Sequence, residues 1–188
     1  MNIVAALSGS VKALMGRADW TDHFDLSRKG LQQSFIALLL TIPAFYLIAH
    51  AVQTQRASLL DETINAVPLV PFTIILLLYL LCFSAVAYIF AMIFDKQDRF
   101  RPWVITRHWS VFWLALIVAG VFGLHLIGVI PFAVANYIAL IGFLCILLID
   151  IRLAQTIIPF PMGAAILIGC AINAMGLVVI LLGFEQVL

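Results

Sequence analysis

Charge is scarce in this chain. Only 10% of its 188 residues are Asp, Glu, Lys or Arg, and 65% are hydrophobic, whereas soluble domains carry about 25% and about 45–50%. So little polar surface cannot cover a water-soluble globule, which excludes that class. The formal net charge of +1 supplies no bulk field to recruit nucleic acid or an acidic partner. Cysteine is equally thin. Cys82, Cys145 and Cys170 lie far apart in apolar runs, with no CxxC or zinc-type spacing, so they read as small packing residues. HExxH, a Gly-rich phosphate loop, a Ser-His-Asp grouping and a plausible carboxylate pair are all missing. These gaps leave no catalytic, cofactor-binding or metal-binding residue to name. The expectation is a protein that is not an enzyme and holds no cofactor.

Long apolar runs are what the chain does have. A bilayer core of about 30 Å needs about 20 apolar residues in a helix. Five segments qualify: 31–52, 67–94, 109–127, 131–149 and 158–183, none containing Lys, Arg, Asp or Glu. The third and fourth are separated by "HLIGVIPF", where Gly128 permits a turn and Pro131 can open a helix. The predicted fold is all-α: a polytopic membrane domain of five helices over 31–188, preceded by a leader, 1–30. Because Asp19, Asp22, Asp25, Arg28 and Lys29 come before the first long run, that run reads as a retained span and not as a cleaved signal.

Basic residues near span ends set orientation. Lys12, Arg17, Arg28, Lys29, Lys96, Arg99, Arg101, Arg107 and Arg152 fall on one side of a five-span chain, and only Arg56 on the other. The expected arrangement is a cytoplasmic amino terminus and an outside carboxyl terminus in a cytoplasmic membrane of bacterial type.

The stretch "FDKQDRFRPWVITRHW", Phe94 to Trp109, then reads as a cytoplasmic loop. Arg99, Arg101 and Arg107 are expected to meet phosphates of an anionic leaflet, and Trp103 and Trp109 to lie at the headgroup boundary. Pro102 suggests that a new helix begins there. A nucleic-acid surface is set aside, because the loop is too short to offer several phosphate contacts. In the leader, Ile3, Val4, Leu7, Val11, Leu14 and Met15 recur at helical spacing. That pattern predicts an amphipathic helix lying in the cytoplasmic interface, packing on the protein's own loops, or docking on a partner.

Polar residues within the spans are few. Asn173 is central in the fifth span and Asn136 lies nearer the outer edge of the fourth, and both suit hydrogen bonds between helices. Asp150, at the cytoplasmic end of the fourth, reads as an interfacial residue paired with local basic groups. His50 and His125 end two spans on the outside, where an imidazole finds water or headgroups. Small residues recur every four positions: Ala115, Ala119 and Gly123 in the third span, and Ala165, Gly169 and Asn173, followed by Gly176, in the fifth. Apolar attraction alone cannot join helices already in lipid, so these stripes are expected to be packing faces. The second span is bulky at that depth and is expected to face lipid.

Five spans, an amphipathic cytoplasmic leader and an outside terminus resemble the plan of Yip-type membrane proteins; the likeness is one of topology and carries no residue role. Two function classes follow. The first is a small integral membrane protein that acts by helix packing and interaction, as an accessory subunit or membrane-organising factor, with a membrane-protein partner or a second copy. The second is an oligomeric transporter or channel for a small solute, although the odd span count argues against inverted halves.

Overall fold

The computed structural model describes residues 3–61, 63 and 66–184. Among these residues the chain is all-helical, with no strand. A short helix, α1 (Ile3–Leu14), and a 3₁₀ turn (Ala18–His23) precede five long helices: α2 (Arg28–Leu60), α3 (Leu69–Ile93), α4 (Gln97–Leu126), α5 (Phe132–Thr156) and α6 (Met162–Phe184). All five are long and apolar enough to cross a membrane. The carboxyl-terminal end of the chain and part of the α2–α3 connection, including Glu62, lie outside the described residues.

Local chemistry explains the boundaries. Ser27 caps α2, its Oγ accepting from the N–H groups of Lys29 and Gly30 at 3.2 and 3.3 Å, which satisfies two of the orphan donors at a helix start. Gly30 is required there, because a Cβ would lie 1.6 Å from the Asp25 carbonyl oxygen. The α4–α5 hairpin turns at Gly128, whose φ of +77° is the left-handed conformation glycine adopts without penalty. Gly128 N–H donates to His125 O and Val129 N–H to Leu124 O, closing the end of α4.

The long helices form an irregular ring. The most extensive contact is α2 on α4; α5 follows α4, α6 follows α5, and α3 closes on α6 and α4. Few backbone positions of α2 and α3 come close, and the two helices meet through side chains, with Leu38, Phe72, Leu76 and Leu80 buried in one cluster and the Tyr46 hydroxyl donating to Leu69 O. The leader lies across the start of α4 and the end of α5, held by Arg152 Nε–H donating to Leu14 O at 3.1 Å.

Several sequence-level expectations are corrected by this arrangement. Residues 97–109 are not a loop, since α4 begins at Gln97 and runs on through Pro102. Every residue from Trp103 to Phe112 is buried, because the leader and the other helices surround α4 there. The leader packs with its small face, Ala6, Gly9, Ser10 and Ala13. Its bulky face, including Ile3, Leu7, Val11 and Met15, stays exposed. Small residues permit close approach between backbones, so of the three readings of the leader, packing of the bulky face on the protein's own loops is the one that does not hold. The second span, α3, does not simply face lipid, since Phe72, Leu76, Leu80, Phe83, Ala87 and Ala91 are buried along one side.

Candidate functional site

Adjacent residues of α4, Arg107 and His108, organise the middle of the bundle. Successive positions on a helix point about 100° apart, so the two side chains reach different neighbours. Arg107 Nε–H donates to Asp150 Oδ1 on α5 at 3.1 Å, with side chains only 4% and 0% exposed. The other carboxylate oxygen, Asp150 Oδ2, accepts from Asn173 Nδ2 on α6 at 3.0 Å. The same Asn173 amide donates to Gly169 O at 2.9 Å. The Arg107 guanidinium carbon lies 4.3 Å from the centre of the Phe83 ring of α3, a cation–π placement. Its Nη1 is buried with no hydrogen-bond partner, so the ring face compensates that part of the charge.

His108 looks the other way. Its Nδ1 lies 3.0 Å from Ser34 Oγ on α2, and its Nε2 lies 3.0 Å from Ser84 Oγ on α3. The Ser34 hydroxyl donates to Leu31 O at 2.7 Å, which uses its only proton. Ser34 therefore accepts from His108 Nδ1–H, and Nε2 accepts from Ser84, an assignment that satisfies all three groups. Phe35 presses edge-on against the imidazole, with ring centres 4.8 Å apart. Through these two neighbouring residues, polar side chains from all five long helices meet.

Asp150 is the main correction to the sequence reading. It does not pair with local basic groups at an interface. Arg152 instead bonds Leu14 O and Gln155 Oε1, while Asp150 is completely buried against Arg107. Burying a charge is costly unless it is paired and hydrogen-bonded, and the pair with Asn173 meets that requirement. Trp103, Arg107 and Trp109 are likewise buried, not set against headgroups. Arg99 and Arg101 are exposed.

The small-residue positions divide. Ala115, Ala119 and Ala165 are buried. A Cβ on Gly169 would lie 2.6 Å from Ile151 Cγ1 and 3.3 Å from the Ile151 backbone nitrogen, so α5 and α6 approach closely there. A Cβ on Gly176 would meet the Tyr79 ring at 2.9 Å, which places it against α3 and not against α4 or α5. Gly123 makes no such approach, since a Cβ there would meet nothing within 4 Å. Asn173 belongs to the Asp150 network more than to a packing stripe.

The Arg107–Asp150 pair was hidden in the sequence by its surroundings. Arg107 stands among other basic residues and tryptophans, and Asp150 stands two residues from Arg152. The available signal was positional. Both lie well inside a helix once α4 is extended through Pro102, and an ionisable group at such a place is a functional-site hypothesis by default.

Two cavities lie on the far side of this network. One, of ≈ 300 Å³, is bounded mainly by α2 and α3, and the other, of ≈ 190 Å³, also reaches α4 and α5. Phe45, Ile48, Tyr79 and Ile180 border both. Among the described residues, no group of three or more His, Cys, Asp or Glu is placed to hold a metal ion. No family model, curated protein or solved structure matches the chain.

Proposed function

We propose that this chain is a small integral membrane protein that acts through contacts, as an accessory subunit or organiser of other membrane proteins, and not through catalysis. One observation carries the reading: the groups able to do chemistry in the bundle are taken up by one another. Both oxygens of Asp150 and both ring nitrogens of His108 have partners within the chain. Such a network specifies how five helices assemble. The outward faces of the spans and of α1 present bulky apolar side chains. In this reading the amino terminus is cytoplasmic, the carboxyl terminus is outside, and the bulky face of α1 lies in the anionic cytoplasmic interface. Close approach of small residues at Gly169 and Gly176 holds α6 to its neighbours.

A second reading, a transporter or channel, is favoured by the burial of Arg107 and Asp150 within helices long enough to span, since intramembrane charges often mark ion paths. One experiment separates the two. The full chain is isolated from its own membrane in polymer-bounded native discs, and is also reconstituted into liposomes for ion and solute flux. The first reading expects a stoichiometric membrane-protein partner or a second copy in the disc, and no flux above protein-free liposomes. A lone chain whose flux is abolished by Asp150→Asn, with helix content retained, would overturn it in favour of the second.

A further inference from the structure

The ≈ 300 Å³ cavity between α2 and α3 is within the size range of small-molecule pockets and has almost wholly apolar walls. Its dimensions along the bundle are informative. On α2 it runs from Phe45 to Gln53, and on α3 from Phe72 to Tyr79. At 1.5 Å per residue these are about 12 and about 10 Å. Phe72 lies in the first turn of α3, and Gln53 lies just past the apolar run of α2. The cavity therefore starts at the level of the headgroups and descends toward the middle of the membrane, as an acyl chain of that leaflet does.

Three further observations bear on the occupant. The cavity lies along the α2–α3 seam, where few backbone positions come close and side chains such as Tyr46 and Phe72 bridge the helices. At its headgroup end, Gln53 lines the wall, and its Oε1 is buried with no hydrogen-bond partner. At its deep end, Tyr79 and Ile48 also border the second cavity, of ≈ 190 Å³, which leaves room for a chain to bend toward the bundle axis. Hydrocarbon gains nothing by moving from lipid into an equally apolar site. Filling a void does gain, because an empty cavity forfeits dispersion contacts on one side, and a donor for Gln53 removes the cost of an unsatisfied buried acceptor.

We propose that the α2–α3 cavity binds one acyl chain of a phospholipid from the leaflet at the Gln53 end, with Gln53 Oε1 accepting from a headgroup that carries an N–H or O–H donor. Phosphatidylethanolamine and phosphatidylglycerol meet that requirement; phosphatidylcholine has no donor. The site does not depend on the function proposed above, because either a scaffold or a carrier could hold a lipid there.

The test uses the full chain in liposomes containing phosphatidylethanolamine with a diazirine midway along one acyl chain. A parallel sample contains a diazirine-bearing free fatty acid. Carbene adducts are mapped by mass spectrometry. The expected result is adducts concentrated on residues 45–53 and 72–79, from the phospholipid and not from the free acid. Ala49→Trp fills the cavity and lowers those adducts about tenfold, because its indole occupies the same volume. Leu78→Trp, at a position exposed to lipid, leaves them unchanged. Replacing the probe with its phosphatidylcholine analogue lowers the yield in the parent but not in Gln53→Leu. Adducts spread evenly over the outer faces of α5 and α6 would overturn the proposal. So would adducts from the free acid alone, or a second copy of the chain cross-linked at the seam. If Ala49→Trp does not fold, the map on the parent decides by itself.

Discussion

Removing the Asp150 carboxylate is the sharpest perturbation the structure offers. Asp150→Leu leaves the Arg107 guanidinium 4% exposed, without a counter-charge, and frees the Asn173 amide from one acceptor. Breaking a buried pair from one side costs about 3–5 kcal/mol, because the remaining charge stays buried and uncompensated. Arg107→Met strands the carboxylate and costs about the same, softened by the Asn173 hydrogen bond, which membrane double-mutant cycles value at about 0.6 kcal/mol. The double variant, Arg107→Met with Asp150→Leu, removes both charges and fills the space with apolar atoms. It should therefore be more stable than either single variant. The assay is loss of helical circular dichroism on titrating the detergent-solubilised chain with sodium dodecyl sulfate. The sign of the coupling is the result to read. Singles within about 0.5 kcal/mol of the parent would be the behaviour of exposed surface positions. Singles whose costs simply add in the double variant would show that the two groups do not meet. Either result refutes the buried pair.

Other expectations follow from separate parts of the fold. Gly169→Leu should lower the melting temperature in detergent by overpacking against Ile151, at a cost of about 1–3 kcal/mol. Leu167→Phe, at a position 73% exposed, should not, and equal melting of the two variants would place Gly169 on the outside. In a Cys-free background, an impermeant thiol reagent should reach Leu59→Cys in intact cells and Gln97→Cys only after lysis; labelling of Gln97→Cys in intact cells would reverse the orientation. At the leader, Lys12 donates to Asp19 at 2.6 Å and holds its carboxyl below the usual carboxylate range. A lowered folded-state pKa stabilises above the unfolded value, about 3.9, and that contribution is lost as pH falls through the folded value. Fluorescence of Trp20, buried under the leader, should therefore report loosening only under acid conditions. Lys12→Met removes the cause of the shift and should flatten this acid step, and a profile unaltered by the variant would remove the ion pair from the account.

The spans were legible because twenty apolar residues in a row have few other uses, and the α4–α5 hairpin because Gly128 and Pro131 stand together in an uncharged run. The core was not legible, for one physical reason stated in several places. In water the bulky apolar face goes inside, whereas in this bundle bulky side chains often face outward and small or polar ones face in. Ile3, Leu7 and Val11 mark the leader helix in the sequence and face outward, while Ala6, Gly9 and Ala13, which carry no such signal, make its contacts. Pro102 suggested a helix start, yet five residues of α4 precede it, where Pro disrupts only the first turns. Arg107 and Asp150 are 43 residues apart, and nothing local to either names the other. Their pairing depends on α4 and α5 being antiparallel neighbours, which the hairpin implies, and on register, which it does not fix. Asn173 was correctly singled out as unusual, but its partner is a carboxylate.

The central claim is that charge is paired inside the bundle and not spread over the headgroups. The most direct measurement is solid-state magnetic resonance on the full chain in bilayers, with ¹⁵N in arginine and ¹³C in aspartate, using Asp150→Asn to assign the signal. The account predicts a dipolar coupling between Arg107 Nε and Asp150 Cγ that fits a 3.1 Å nitrogen–oxygen contact, with magnetisation from water reaching the pair slowly. No coupling at that pair, or transfer from water as fast as at Arg99 and Arg101, would contradict it.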